Sequence, residues 1–137
     1  MKNASFGLVL ALAAVAMGAG PLLAHHSFSA QYDSNKPVTQ TGAVTKIEWN
    51  NPHVFFYIDV RDEQTGRVTN WAWEMGAPAV IQRNGWTRNT MKVGDLVTVD
   101  GTRAKNGTPQ GNARSVVMTN TGKKLGAGSS EGQPAEQ

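Results

Sequence analysis

Two neighbouring runs constrain this chain more than anything else in it. Residues 54–61 read VFFYIDVR and residues 67–75 read RVTNWAWEM. Both alternate with a period of two and are rich in aromatic and β-branched side chains, the signature of strands with one face buried. In the first run Val54, Phe56, Ile58 and Val60 share the predicted core face; Phe55, Tyr57, Asp59 and Arg61 share the other. In the second run Trp71 and Trp73 fall on one face with Thr69 and Met75. That pair reads either as a packed core stripe, since tryptophan is usually well buried, or as an aromatic platform in a groove. The residues between the runs, DEQTG at 62–66, suit a hairpin loop with Gly66 at a positive-φ position.

The flanking sequence extends the pattern. Residues 38–49 (VTQTGAVTKIEW) form a long β-branched strand candidate. Its apolar phase slips between Val44 and Ile47, just after Gly42, which predicts a bulge or a sharp coil. Residues 76–85 (GAPAVIQRNG) break the alternation. Pro78 suits the first turn of a helix and Gly85 its end, so one short helix is expected. Residues 96–104 and 112–119 supply a fourth and a fifth strand, joined by the loop KNGTPQG at 105–111. The predicted fold is all-β: a small five-stranded OB-like Greek-key barrel with one short helix between strands 3 and 4. A five-stranded SH3-like barrel is the alternative, but it would normally lack that helix.

The ends of the chain read differently. Lys2 is followed by the unbroken apolar run FGLVLALAAVA at 6–16 and a looser stretch to Ala24. This is the pattern of a secretory signal peptide at 1–24, and the run is too short to span a bilayer comfortably. Cleavage after Ala24 is favoured over cleavage after Ala16, which lies inside the apolar run. A retained membrane anchor is the competing reading; with the signal removed, no stable membrane span is expected. Residues 25–37 are predicted to be an extended arm tacked down by Phe28 and Tyr32, residues 38–120 the barrel, and residues 121–137 a disordered tail. The last twelve residues, GAGSSEGQPAEQ, have no apolar side chain larger than alanine.

Composition narrows the function classes. The formal charge is +3, with 13 Lys+Arg against 10 Asp+Glu, and removing Lys2 with the leader leaves about +2. The basic residues are scattered, so no nucleic-acid partner is expected. There is no cysteine, which excludes disulfides, thiol catalysis and Cys-ligated zinc. No phosphate loop, nucleophile elbow or dinucleotide fingerprint is present. Glu48 and Glu74 flank tryptophans, but the sequence does not fix the separation a paired-carboxylate hydrolase needs. No residue is therefore assigned a catalytic role.

The chemistry that remains is concentrated in EWNNPH at 48–53. It falls in the loop between strands 1 and 2, where OB-folds contact ligands together with the face of strands 2 and 3 and the loop between strands 4 and 5. Trp49, Asn51 and His53, with Trp71 and Trp73, are the predicted ligand-binding residues, facing a small ligand or a protein. The plainer alternative is a rigid strand connection shaped by Pro52 and the asparagines. The three histidines are His25, His26 and His53. An amino-terminal His25 would offer its α-amino and ring nitrogens, and His26 or His53 a further imidazole, a nitrogen set suited to copper. Polar surface histidines are the alternative.

The stretches HHSF at 25–28, GAVTKIEWNNPH at 42–53, WAWE at 71–74, GW at 85–86 and GDLVTVDG at 94–101 together resemble an uncharacterised family of short exported bacterial proteins. The markers are the His-His-Ser-Phe mature start and the Trp-x-Asn-Pro-His loop. The resemblance covers roughly residues 25–125 and implies a periplasmic or secreted protein of a Gram-negative bacterium. It implies no activity. At the level of fold alone, the layout is also similar to small periplasmic OB-fold proteins linked to stress tolerance.

Overall fold

A computed structural model of the chain describes residues 28–131. The order of elements is α1 (Phe28–Gln31), β1 (Tyr32–Glu48), β2 (Phe55–Arg61), β3 (Val68–Glu74), α2 (Pro78–Arg83), β4 (Leu96–Ala104), β5 (Gln110–Met118) and β6 (Lys123–Gly126). The protein is all-β, mostly antiparallel, with only short helices. Among the described residues no helix is long and apolar enough to cross a membrane.

Five strands close into a ring. β1 pairs with β2 through residues 43–48 and with β4 through residues 37–43, so one long strand serves both sides. The expected irregularity is present as a register shift between Val44 and Lys46. At Gly42 the backbone of β1 runs hard against that of β2. A Cβ there would sit 2.3 Å from the Asp59 carbonyl oxygen, so only glycine fits without a shift. β2 and β3 form the antiparallel hairpin, and β4 pairs with β5. The ring closes where residues 72–74 of β3 run parallel to residues 110–112 of β5. The Ala72 amide donates to the Pro109 carbonyl at 3.0 Å, which extends the seam by one bond.

The core follows from the alternation. Val54, Phe56 and Ile58 are buried, as are Val97 and Val99 of β4 and Ala113, Val116 and Met118 of β5. Val60 is only partly buried at the rim. Ile81 of α2, Trp86 and Met91 close one end. The Ile81 side chain comes from the short helix expected after β3, begun by Pro78 in its first turn.

Two sequence boundaries move. The arm expected at 25–37 becomes strand from Tyr32 onward, with a register break between Tyr32 and Pro37. The tail expected to be disordered from residue 121 instead supplies β6, antiparallel to residues 115–118 of β5. The reason is local. Leu125 and Ala127 alternate into the core, the Trp86 indole N–H donates to the Gly126 carbonyl at 2.8 Å, and the Gly76 amide donates to the Ala127 carbonyl at 2.8 Å. Farther along, the Ser129 hydroxyl donates to Asn112 Oδ1 at 2.6 Å and the Thr102 hydroxyl donates to the Glu131 carboxylate at 3.0 Å. Residues 1–24, expected to be a signal peptide, residues 25–27 of the expected arm and residues 132–137 lie outside the described residues.

Candidate functional site

The register of the β2–β3 hairpin decides which side chains can meet a ligand. Phe56 pairs with Trp73 and Ile58 with Trp71, and directly opposed side chains point to the same face. Both tryptophans therefore join the core. Trp73 is 0 % exposed and Trp71 6 %, and their rings stack 5.9 Å apart at 22°. The Arg103 guanidinium lies 5.5 Å over the Trp71 ring. The platform expected of Trp71 and Trp73 is thus not at the surface; the core stripe is what forms. The outer face of the same hairpin carries Phe55 and Tyr57 of β2, both half-buried, opposite Glu74 and Ala72 of β3.

That outer face holds a connected run of polar groups. The Gln110 amide donates to the Tyr32 hydroxyl at 3.1 Å, the Tyr32 hydroxyl donates to Glu74 Oε2, and Glu74 Oε1 contacts His53 Nδ1. Local geometry places each member. Ala72 pairs with Gln110 across the parallel seam, so Gln110 sits one row from Glu74 on the same face. Phe55 pairs with Glu74, and His53 precedes Phe55 by two residues. Tyr32 pairs with Ala104 at the start of β1, and the break after it lets its ring lie over the seam. Phe28 of α1 packs on that ring at 5.4 Å between centroids.

Burial separates the members of this run. Glu74 is 7 % exposed and Tyr32 is buried, whereas the His53 side chain is 39 % exposed. A carboxylate this far from water is costly unless its oxygens meet donors. Here both do. Burial first, and then the hydrogen bond to Glu74, push the Tyr32 hydroxyl well above the usual tyrosine range and keep it a donor.

A second cluster lies beside the first. Lys46 pairs with Tyr57, and Glu48 pairs with Phe55. The Tyr57 hydroxyl donates to Glu48 Oε2 at 2.8 Å, Lys46 Nζ forms an ion pair with Glu48 Oε1, and the same ammonium lies 5.2 Å over the Tyr57 ring. The Lys46 ammonium, then the Tyr57 hydroxyl, hold the Glu48 carboxyl below its usual range. Farther down the hairpin, the Asn70 amide donates to Asp59 at 2.7 Å and to the Thr45 hydroxyl at 3.0 Å.

The predicted loop residues divide. Trp49 is half-buried beneath Arg88, whose guanidinium lies 5.8 Å over the ring. It borders an apolar cleft of about 10 Å³ with Ile47, Phe56, Met75 and Met91, room for one water at most. Asn51 is exposed, and the Asn51–Pro52 bond is cis. His53 alone of the predicted set joins the polar run. A larger open cleft of about 280 Å³ lies between α1 and the β4–β5 loop, lined by Gln31, Ala104, Lys105, Asn106 and Gln110. Gln110 connects that cleft to Tyr32. His25 and His26 lie outside the described residues, and among those described no group of three or more His, Asp or Glu side chains gathers as metal ligands.

The family of unknown function DUF6152 matches residues 11–114. The chain belongs to that family. No curated protein matches the chain. The family span contains His25, His26 and all four members of the polar run, and it ends inside β5, before β6. The run therefore lies wholly within the part of the chain the family defines, whereas β6, which pairs with β5 alone, lies beyond it.

Sequence reasoning missed Tyr32, Gln110, Phe55 and Tyr57 as site residues. For Phe55 and Tyr57 the signal was present, because alternation already set them opposite the core face. Nothing local marks Tyr32 and Glu74 as partners 42 residues apart.

Proposed function

We propose that this protein is an exported, OB-like, non-enzymatic binding module acting in the periplasm or outside the cell. Its ligand face is the outer surface of β2 and β3, carrying Phe55, Tyr57, His53 and Glu74. The apolar run at 6–16 supports export. The closed ring, the parallel β3–β5 seam and the helix between β3 and β4 support an OB-like barrel, whose ligands meet that strand face and the β1–β2 and β4–β5 loops. The observation that carries the proposal is the buried Glu74 carboxylate, shared between Tyr32 and a half-exposed His53. A barrel core does not need such a group, and a site that must aim an imidazole does. Both Glu74 oxygens are engaged by the protein's own side chains, which suits positioning better than proton exchange with a substrate. Spectra of ¹⁵N-labelled protein with a panel of periplasmic small molecules test the face. Shifts clustering on residues 53–57 and 70–74 are expected; shifts confined elsewhere would sink the assignment.

A second reading is a copper-binding protein using the amine and ring of an amino-terminal His25 with His26 or His53. What favours it is Glu74 on His53 Nδ1, the arrangement in which carboxylates orient metal-ligating imidazoles. Tight Cu(II) binding by a form beginning at His25, weakened when Met-Gly precedes it, is the expected result. Equal binding by both forms removes the amine from the site.

A further inference from the structure

We infer that the outer face of β4 and β5 carries a carboxylate-recognising groove for an extended acidic peptide, and that residues 129–131 of the chain's own carboxy-terminal segment occupy it as a built-in competitor. The groove goes beyond the β2–β3 ligand face. Different strands supply it, so either assignment stands without the other. Strand register places it. Thr102 of β4 pairs with Asn112 of β5, and Asn112 with Glu74 of β3, so the three side chains form one row across the outer face. Thr102 is 0 % exposed and Asn112 3 %. Polar side chains on the outside of a barrel reach that burial only beneath a cover, and buried polar atoms need partners. The cover and the partners are both the segment beyond β6.

The contacts define what the groove reads. The Thr102 hydroxyl, at 3.0 Å, and Arg114 Nη1, at 3.4 Å, both donate to the same Glu131 oxygen, Oε2. The guanidinium is aimed by the barrel itself: Nε donates to Asp100 Oδ2 at 3.3 Å and Nη2 to the Gly101 carbonyl at 3.2 Å. Asn112 Oδ1 accepts from the Ser129 hydroxyl at 2.6 Å, and the Glu131 amide donates to that same hydroxyl oxygen at 3.1 Å. The groove therefore takes a carboxylate at one position and a donor two residues earlier. Gly128 separates this occupant from β6. Its φ of +68° is a turn that side chains rarely adopt. Up to Ala127 the segment is held by backbone bonds and buried apolar side chains. Beyond Gly128 the hold is polar and partly open to water, with the Arg114 and Glu131 side chains 37 % and 19 % exposed. Such contacts open at small cost, so a peptide of the same chemistry takes their place.

The test keeps the full chain, ¹⁵N-labelled, and empties the groove with the double substitution Ser129→Ala and Glu131→Gln. The probe is the capped peptide Gly-Ser-Ser-Glu-Gly, with Gly-Ser-Ser-Gln-Gly as its neutral counterpart. In the double variant the acidic peptide should shift the signals of Thr102, Asn112 and Arg114. The wild type should bind it roughly tenfold more weakly or less, because a tethered competitor acts at an effective concentration of about millimolar or above. The neutral peptide should bind several-fold more weakly than the acidic one, having lost the charge-assisted bonds. Should the double variant fail to fold, Glu131→Gln alone, which keeps the shape of the side chain, must show the same order of binding. Equal binding by wild type and variant overturns the inference, as does equal binding of the two peptides. No shift at Thr102, Asn112 and Arg114 in the emptied groove overturns it too. Shifts confined to residues 53–57 overturn the groove and leave the β2–β3 face standing.

Discussion

Tyr32 and Glu74 stand 42 residues apart in sequence and share a buried hydrogen bond across the outer face of the β3–β5 seam. The hydroxyl comes from the first residue of β1 and the carboxylate from the last residue of β3. The bond therefore ties the amino-terminal end of the barrel to the point where the ring closes.

Removing that hydroxyl should be expensive. Tyr32→Phe keeps the ring but leaves a buried Glu74 oxygen without its donor, at a cost of about 1–3 kcal/mol. Urea denaturation of the two proteins checks the value. A variant as stable as the wild type would mean that water or a shifted side chain replaces the donor without loss.

The same group sets an alkaline limit. Burial raises the Tyr32 pKa above the ordinary tyrosine value near 10. Above pH 10 the unfolded chain releases this proton while the folded chain retains it, so stability is fully present below pH 10 and falls as pH rises beyond it. Tyr57 is raised in the same direction. Chemical denaturation from pH 8 to 11 should show the decline, and Tyr32→Phe should flatten it; equal slopes would contradict the assignment.

The carboxy-terminal segment should prove structural. Leu125 is buried and β6 pairs with β5, so Leu125→Ala should cost about 2–5 kcal/mol. Truncation after residue 121 should destabilise at least as much. Thermal unfolding measures both. A truncated protein that melts with the wild type would restore the disordered tail.

Trp73 packs against the closing seam so tightly that it dictates its neighbour. A Cβ on Gly111 would lie 2.5 Å from the Trp73 ring, which is enclosed on all sides. Gly111→Ala should destabilise by about 1–3 kcal/mol through overpacking. Gly107, whose Cβ would meet nothing within 4 Å, has a φ of +77° and serves as the contrast: its cost comes from backbone strain alone and should be smaller. Denaturant midpoints of the two alanine variants distinguish these.

How much of this was legible in the sequence follows from the range of the interactions. Period-two alternation is local, and it gave the core faces of β2, the hairpin, the bulged first strand and the all-β class. Pro78 and Gly85 announced the helix. The fate of Trp71 and Trp73 depended on cross-strand register. Once Phe56 opposes Trp73, the tryptophans belong to the core and Phe55 and Tyr57 inherit the outer face. β6 was hidden because, among the described residues beyond 120, Leu125 and Ala127 are the only buried apolar side chains, in a segment rich in glycine, serine and lysine. His53 was found through its loop. Glu74 was noticed only as a carboxylate beside a tryptophan, since its partners His53 and Tyr32 lie 21 and 42 residues away.

The central claim is that the outer face around His53 and Glu74 holds a ligand. Native mass spectrometry of the protein purified from the cells that make it addresses this most directly. A bound species should accompany the wild type and be lost from folded His53→Ala and Phe55→Ala variants, its mass telling an organic molecule from a metal ion. The same species on all three proteins, or none on the wild type, would contradict the claim.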